Sequence, residues 1–133
     1  MGLSILIPIY NYNVSSLVNV LAAQLKKSGK EAEIILLDDG SVNNAVSDNQ
    51  QLQNIPFVSF YRNEKNEGRT VTRQKLANMA RYDYLLFLDC DSEIIKDDFV
   101  AVYFDLLEKN AALVSGGRIY SDKPPKDCNL QLH

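Results

Sequence analysis

The sequence predicts an α/β protein built on a mostly parallel, doubly wound sheet. Three observations carry that expectation. Short, nearly continuous apolar runs alternate with stripes of apolar residues at helical spacing. Polar clusters of Asp, Gly, Asn and Ser follow the runs directly. A chain of 133 residues, 46% hydrophobic and 23% charged, has room for one ordinary globular domain.

Leu3 to Ile9 is an Ile-rich run interrupted by Pro8, which suits a buried strand ending near the proline. Val14, Leu17, Val18, Leu21, Ala22 and Leu25 then form a helical stripe. Asn13 is placed to cap it and Gly29 to stop it. Ala32 to Leu37 is a second buried strand, ended by Asp38-Asp39-Gly40-Ser41. A weak helical pattern covers Ala45 to Leu52, and Phe57 to Tyr61 is a third strand. The charged loop Asn63 to Gly68 leads into a helix from about Arg69 to Arg81, supported by Val71, Leu76, Met79 and Ala80. Tyr84 to Leu88 is a fourth strand running into Asp89-Cys90-Asp91. Phe99, Val102, Tyr103 and Leu106 mark a further helix, and Ala112 to Val114 a fifth strand before Gly116-Gly117. From Ser121 two prolines break any readable period, so residues 121–133 read as a tail or as the start of a further region.

Composition narrows the function. Lys and Arg number 14 against 17 Asp and Glu, a net charge of −3 without a basic run, which argues against nucleic acid as a partner. No apolar stretch approaches the roughly 18 residues of a membrane span. The N-terminus has no basic n-region and no small-residue cleavage site, so it does not read as a secretory signal. Cys90 and Cys128 are too few for a disulfide framework, and a single His removes most His-based catalysis. A reduced, cytoplasmic setting is the expectation, including a peripheral seat at the inner face of the membrane.

In open α/β sheets, ligands collect outside the carboxyl ends of the strands. Pro8-Ile9-Tyr10-Asn11, Asp38 to Ser41 and Asp89-Cys90-Asp91 all fall there. Each cluster alone could be a plain strand-ending turn, since these are turn residues. Three on one sheet edge point to a site. Asp89 and Asp91, at i and i+2 in extended backbone, would face one pocket and suit a hard divalent cation shared with substrate phosphates. Either that cation or Arg69 and Arg73, i and i+4 on the third helix, would offset the acids. Both arginines could equally be solvated surface charges. Tyr10 could stack on a planar base, Cys90 reads as a small packed hydrophobe, and Asp97 and Asp98 suit a helix start electrostatically.

These clusters, in this order, resemble the family 2 glycosyltransferases of the GT-A, Rossmann-like fold. The family's P-x-Y-N is matched by Pro8, Tyr10 and Asn11, and its D-D-G-S by Asp38 to Ser41. Its N-x-G-x-x-x-x-R-N is matched by Asn66, Gly68 and Arg73, with Gln74 in place of the final Asn. Its D-x-D is Asp89-Cys90-Asp91. The resemblance runs from Leu3 to about Gly117 and implies a nucleotide-diphospho-sugar donor bound by residues 1–120. Asp39 would contact the base, Pro8 and Tyr10 would shape its pocket, and Arg73 would lie nearby. Asp89 would sit near the ribose and the metal, and Asp91 would coordinate Mn²⁺ or Mg²⁺ at the diphosphate.

The family inverts configuration in one displacement, with a carboxylate base taking the proton of the acceptor hydroxyl. None of Glu93, Asp97, Asp98, Asp105, Glu108, Asp122 or Asp127 matches a base motif of the family. No acceptor-side Q-x-x-R-W follows either. The expectation is therefore a fold truncated before its acceptor-binding half, with a carbohydrate or lipid-linked acceptor bound by the missing region. A non-catalytic nucleotide-sugar binding module is the alternative. A receiver-type signalling domain fits less well, because it needs an acid pair after the first strand. A nucleotidyltransferase needs a glycine-rich basic loop there, and neither feature is present.

Overall fold

The computed structural model describes residues 2–109. The expected fifth strand at Ala112–Val114, the Gly116-Gly117 pair, the region from Ser121 and Cys128 lie outside the described residues. Within them, strands β1 (Leu3–Ile9), β2 (Ala32–Asp38), β3 (Val58–Arg62) and β4 (Tyr84–Phe87) form one sheet in the order β3-β2-β1-β4. Every pairing is parallel. The helices α1 (Ser15–Ser28), α2 (Ala45–Gln51), α3 (Arg69–Met79) and α4 (Phe99–Glu108) fill the connections. The expected α/β class is the observed one.

The two-residue alternation of β1 sorts its side chains onto two faces. Leu3, Ile5, Ile7 and Ile9, with Ile34, Leu36 and Leu86, pack under Val18, Leu21 and Leu25 of α1 and Val100, Phe104 and Leu107 of α4. On the other face Leu6, Ile35 and Leu37 pack against Leu76 of α3, with Met79, Ala80 and Phe87 around them. The α1 stripe is therefore the one the spacing predicts. Its last turn closes on Gly29, left-handed at φ 66°, whose N–H reaches Leu25 O at 3.3 Å. At its start Asn13 Oδ1 accepts the Ser15 N–H at 2.9 Å, one residue ahead of the helical boundary.

Two local expectations shift. The third strand begins at Val58, because Phe57 adopts φ 78° and leaves extended geometry. In α3 the inward residue is Thr72, 1% exposed, while Val71 is 43% exposed. That helix buries a hydroxyl where the apolar stripe predicts a valine. The first strand spans Leu3–Ile9 and ends one residue past Pro8, as the apolar run predicts. Pro8 has no N–H to donate, and β4 has already ended: its last paired residue, Phe87, lies opposite Leu6, and Leu88 N–H reaches Leu6 O at 3.0 Å. The proline sits where the β4 side of β1 has no ladder left to break. There the two strands part, and the opening between them is the switch point of a sheet whose order reverses at β1.

Candidate functional site

The loops after β1 and β2 clasp each other. Asn11 N–H donates to Ser41 Oγ at 2.7 Å, and Val42 N–H donates to Asn11 Oδ1 at 2.9 Å. Asn11 manages this at φ 52°, a conformation Asn tolerates better than most residues. Asp38, fully buried at the end of β2, accepts the Ser41 N–H at 2.7 Å, and Arg62 Nε lies 3.5 Å from the same oxygen. Arg62 Nη2 also donates to Ser41 O at 2.5 Å. From α2, the buried Asn49 takes the Val14 N–H at 2.9 Å and donates to Tyr12 O at 2.7 Å. The strand-end peptide carrying Tyr10 and Tyr12 is thus held from both sides.

Asp39 organises the next loop. Its Oδ1 accepts Asn63 Nδ2 at 3.0 Å and Glu67 N–H at 2.7 Å, and its Oδ2 accepts Gly68 N–H at 3.1 Å. Asn66 Nδ2 donates to the Asp39 carbonyl at 3.2 Å. Burial alone would raise the Asp39 pKa. The backbone N–H of Glu67, the Asn63 amide, the Thr72 hydroxyl and the Gly68 N–H together outweigh it and hold the carboxyl below its ordinary value. Gly40 makes the fit possible: at φ 75° its hydrogen faces Asn66 N, and a Cβ there would lie only 2.5 Å from that atom. Lys75 ties the far side of the loop, donating to Asn63 Oδ1 at 3.1 Å and pairing with Glu67.

The acids after β4 sit on a turn and not on extended backbone. Ser92 N–H closes onto Asp89 O at 3.0 Å, so the i, i+2 argument from strand geometry does not apply. Asp89 and Asp91 nevertheless line the same cavity. Arg69 Nη2 pairs with Asp89 Oδ1 at 3.1 Å. Between the acids, Cys90 packs against the core as expected and also lines the cavity. Burial, with the Asp91 and Asp89 charges adding to it, pushes its thiol pKa up against a hydrogen bond from the Tyr10 backbone. A thiol so placed stays protonated and makes a poor nucleophile.

The open cleft between these loops measures about 470 Å³, within the size range of small-ligand sites. Pro8, Tyr10, Asp39, Asp89 and Asp91 all line it. Arg73 does not: its guanidinium stacks 4.7 Å over the Phe87 ring on the α3 face of the sheet. Arg69, one turn earlier, takes the place at the cavity. Sequence reasoning missed Tyr12 and Thr72, which also line it, and the supporting amides of Asn49 and Asn63. The doubled Tyr-Asn of Tyr10 to Asn13 was a readable hint of Tyr12.

Among the described residues no group of three or more His, Cys, Asp or Glu side chains converges as a metal cage. The two carboxylates are a hard, oxygen-only donor pair. Such a set suits Mg²⁺ or Mn²⁺ when a ligand's phosphates and water complete the shell.

The sequence profile described as Glycosyl transferase family 2 matches residues 4–133. This chain belongs to glycosyltransferase family 2. Among the relatives of this family 2 chain is glycosyltransferase GlyG of Streptococcus pneumoniae serotype 4, 30% identical over 98% of this chain and 43% of GlyG. The crystal structure of S. aureus TarS 1-349 in complex with UDP-GlcNAc superposes with a TM-score of 0.75 at 23% identity. That match covers 95% of this chain and 37% of TarS 1-349, and it establishes a shared GT-A-like fold. The mannosyltransferase PcManGT of Pyrobaculum calidifontis, in complex with GDP-Man and Mn²⁺, superposes at 0.60 with 15% identity, over 94% of this chain and 36% of its own. The family 2 chain thus spans less than half the length of these proteins. No helix among its described residues is long and apolar enough to cross a membrane.

Proposed function

We propose that this chain binds the nucleotide-diphospho-sugar donor for a divalent-metal-dependent, inverting transfer of the sugar to an acceptor hydroxyl. One observation carries the proposal: three strand-end loops, from β1, β2 and β4, converge on one cavity at the sheet's switch point. Solved structures of the same fold in complex with UDP-GlcNAc and with GDP-Man support it.

In this reading Tyr10 and Tyr12, both about half exposed, offer aromatic faces to the base. Pro8 closes that end, and Asp39 contacts the base from a pose fixed by its loop donors. Arg73 acts at a distance, steadying β4 through Phe87 while α3 presents Arg69. Asp89 lies beside the ribose, and Asp89 and Asp91 would hold Mn²⁺ or Mg²⁺. When bound, that cation supplies positive charge to the departing diphosphate. The donor loops exclude water from one side of the sugar and leave the other open to the acceptor. The base that takes the acceptor proton, and the site for a carbohydrate or lipid-linked acceptor, belong in this proposal to the longer portion that the relatives possess.

Thermal unfolding with UDP, GDP and dTDP, each with and without Mn²⁺, tests the reading. A ligand at one hundred times its Kd stabilises by about 2.7 kcal/mol, so one nucleotide should raise Tm clearly, and more with metal. Asp91→Asn should abolish the metal-dependent part and spare the rest. No shift with any of the three nucleotides would overturn donor binding, and an unchanged metal response in Asp91→Asn would remove Asp91 from the metal site.

A further inference from the structure

Arg69 is the one cavity-lining residue with a full positive charge among those described, and it is spent on an acid that the proposed donor site needs. Its side chain is 67% exposed against 17% for Asp89. An ion pair so exposed adds little to stability, typically about 0–1 kcal/mol, so the fold does not depend on it. The guanidinium also stands at the first residue of α3, whose opening turn carries no acidic side chain. Asp39 takes the Glu67 and Gly68 N–H groups just ahead of that turn, the N–H groups of the first turn itself favour an anion, and the neighbouring Glu67 is already paired with Lys75.

Two cations therefore have claims on Asp89 Oδ1. A divalent ion held by Asp89 and Asp91 would meet the Arg69 guanidinium, which lies 3.1 Å from Asp89 Oδ1. Like charges sharing one carboxylate repel, so each weakens the other's hold on it. A diphosphate in the cavity changes the balance, because it offers the planar guanidinium a pair of oxygens for a bidentate contact of its own.

We propose that Arg69 is an exchangeable counter-cation for Asp89, holding that carboxylate until a nucleoside diphosphate draws the guanidinium away. Divalent cation and diphosphate then enter cooperatively, and metal alone binds weakly. This rests on the donor-site reading above and adds to it an order of assembly.

The test is Mn²⁺ binding to the whole 133-residue chain, followed by electron paramagnetic resonance, without nucleotide and with saturating UDP, GDP or dTDP. Arg69→Gln should tighten Mn²⁺ alone by about threefold to tenfold, the scale of one partly screened charge contact. It should shrink the mutual enhancement between Mn²⁺ and nucleotide by a similar factor, since that coupling is reciprocal. Arg69→Lys, which keeps the charge, should retain most of the wild-type weakness towards Mn²⁺ alone. In the Asp89→Asn background Arg69→Gln should lose its effect, which ties it to this pair and not to general surface charge. An Arg69→Gln protein whose nucleotide-free Mn²⁺ affinity is unchanged or weaker, while nucleotide still binds the wild type, overturns the counter-cation role and leaves the donor site standing. A wild-type chain that binds neither Mn²⁺ nor any of the nucleotides overturns both.

Discussion

The two faces of the sheet are built to different depths. Among the described residues, the face covered by α1 and α4 holds a cluster of twenty buried residues, helix residues included, whereas the face covered by α3 holds Leu6, Ile35, Leu37 and Leu76. Of the thick face only Ile9, and Cys90 packed at its edge, reach the cavity. The thin face carries α3, whose Arg69 and Thr72 line the cavity and whose Lys75 braces the loop around Asp39. Stability is concentrated on one side of this molecule and positioning on the other. A shallow core beneath the positioning helix means that small losses of packing there displace chemistry before they unfold the domain.

The sharpest way to break that contrast is a matched pair of core truncations. Leu21→Ala and Leu76→Ala each remove a fully buried leucine, one from each face. Both should cost about 2–5 kcal/mol by urea unfolding. Nucleotide affinity measured on the folded protein should separate them: Leu21→Ala leaves it unchanged, and Leu76→Ala weakens it about threefold to tenfold. Equal affinities would dissolve the division between the faces.

Asp39→Asn probes the joint between the thin face and the cavity, at about 1–3 kcal/mol for donors left without their charged acceptor. It also carries a pH signature. Asp39 has a native pKa below its unfolded one, so its stabilisation is complete above the ordinary carboxylate value of about 3.9 and is lost as pH falls through the lower native value. Acid titration of stability should therefore be less steep in Asp39→Asn than in the wild type below about pH 4. Identical acid limbs would show that the Glu67 and Gly68 N–H groups do not set this carboxyl.

The smallest effect is expected at Arg73. Its contact with Phe87 is worth about 0.5–1 kcal/mol where partly exposed. Arg73→Gln should lower Tm slightly and weaken nucleotide binding less than Leu76→Ala does. A larger loss of binding than of stability would return Arg73 to the cavity.

Much of this was legible beforehand, and the exceptions share a cause. Apolar periodicity located the α1 stripe and all four described strands to within a residue or so, because burial of hydrocarbon selects those spacings directly. The loop motifs located Pro8, Tyr10, Asp39, Asp89 and Asp91, since strand ends on one sheet edge must face a common opening. What stayed hidden were polar groups buried by their partners. Thr72 lies inward because Asn63 and Asp39 meet it there, and Asn49 is buried because it serves Val14 and Tyr12. Their partners lie far away in sequence, so no local pattern announces them. Arg69 and Arg73 share one helical face in projection, yet Phe87 lies under only one of them.

The parting of β1 from β4 beyond Leu6 has a consequence for the order in which this protein comes together. The walls of the cavity belong to strands paired as Leu3↔Tyr84, whereas β1 and β2 pair as Leu3↔Ala32. The longer loop is costlier to close, and non-local parallel pairing is slow. During refolding, the Asp39 amide, bonded to Ile9 O, should gain protection from hydrogen exchange before the Leu88 amide, bonded to Leu6 O. A ribosome delivers β1, α1 and β2 before β4, so one edge of β1 stays unpaired until Tyr84–Phe87 emerge. The cleft proposed as the donor site is, in the growing chain, the last seam among the four described strands to close.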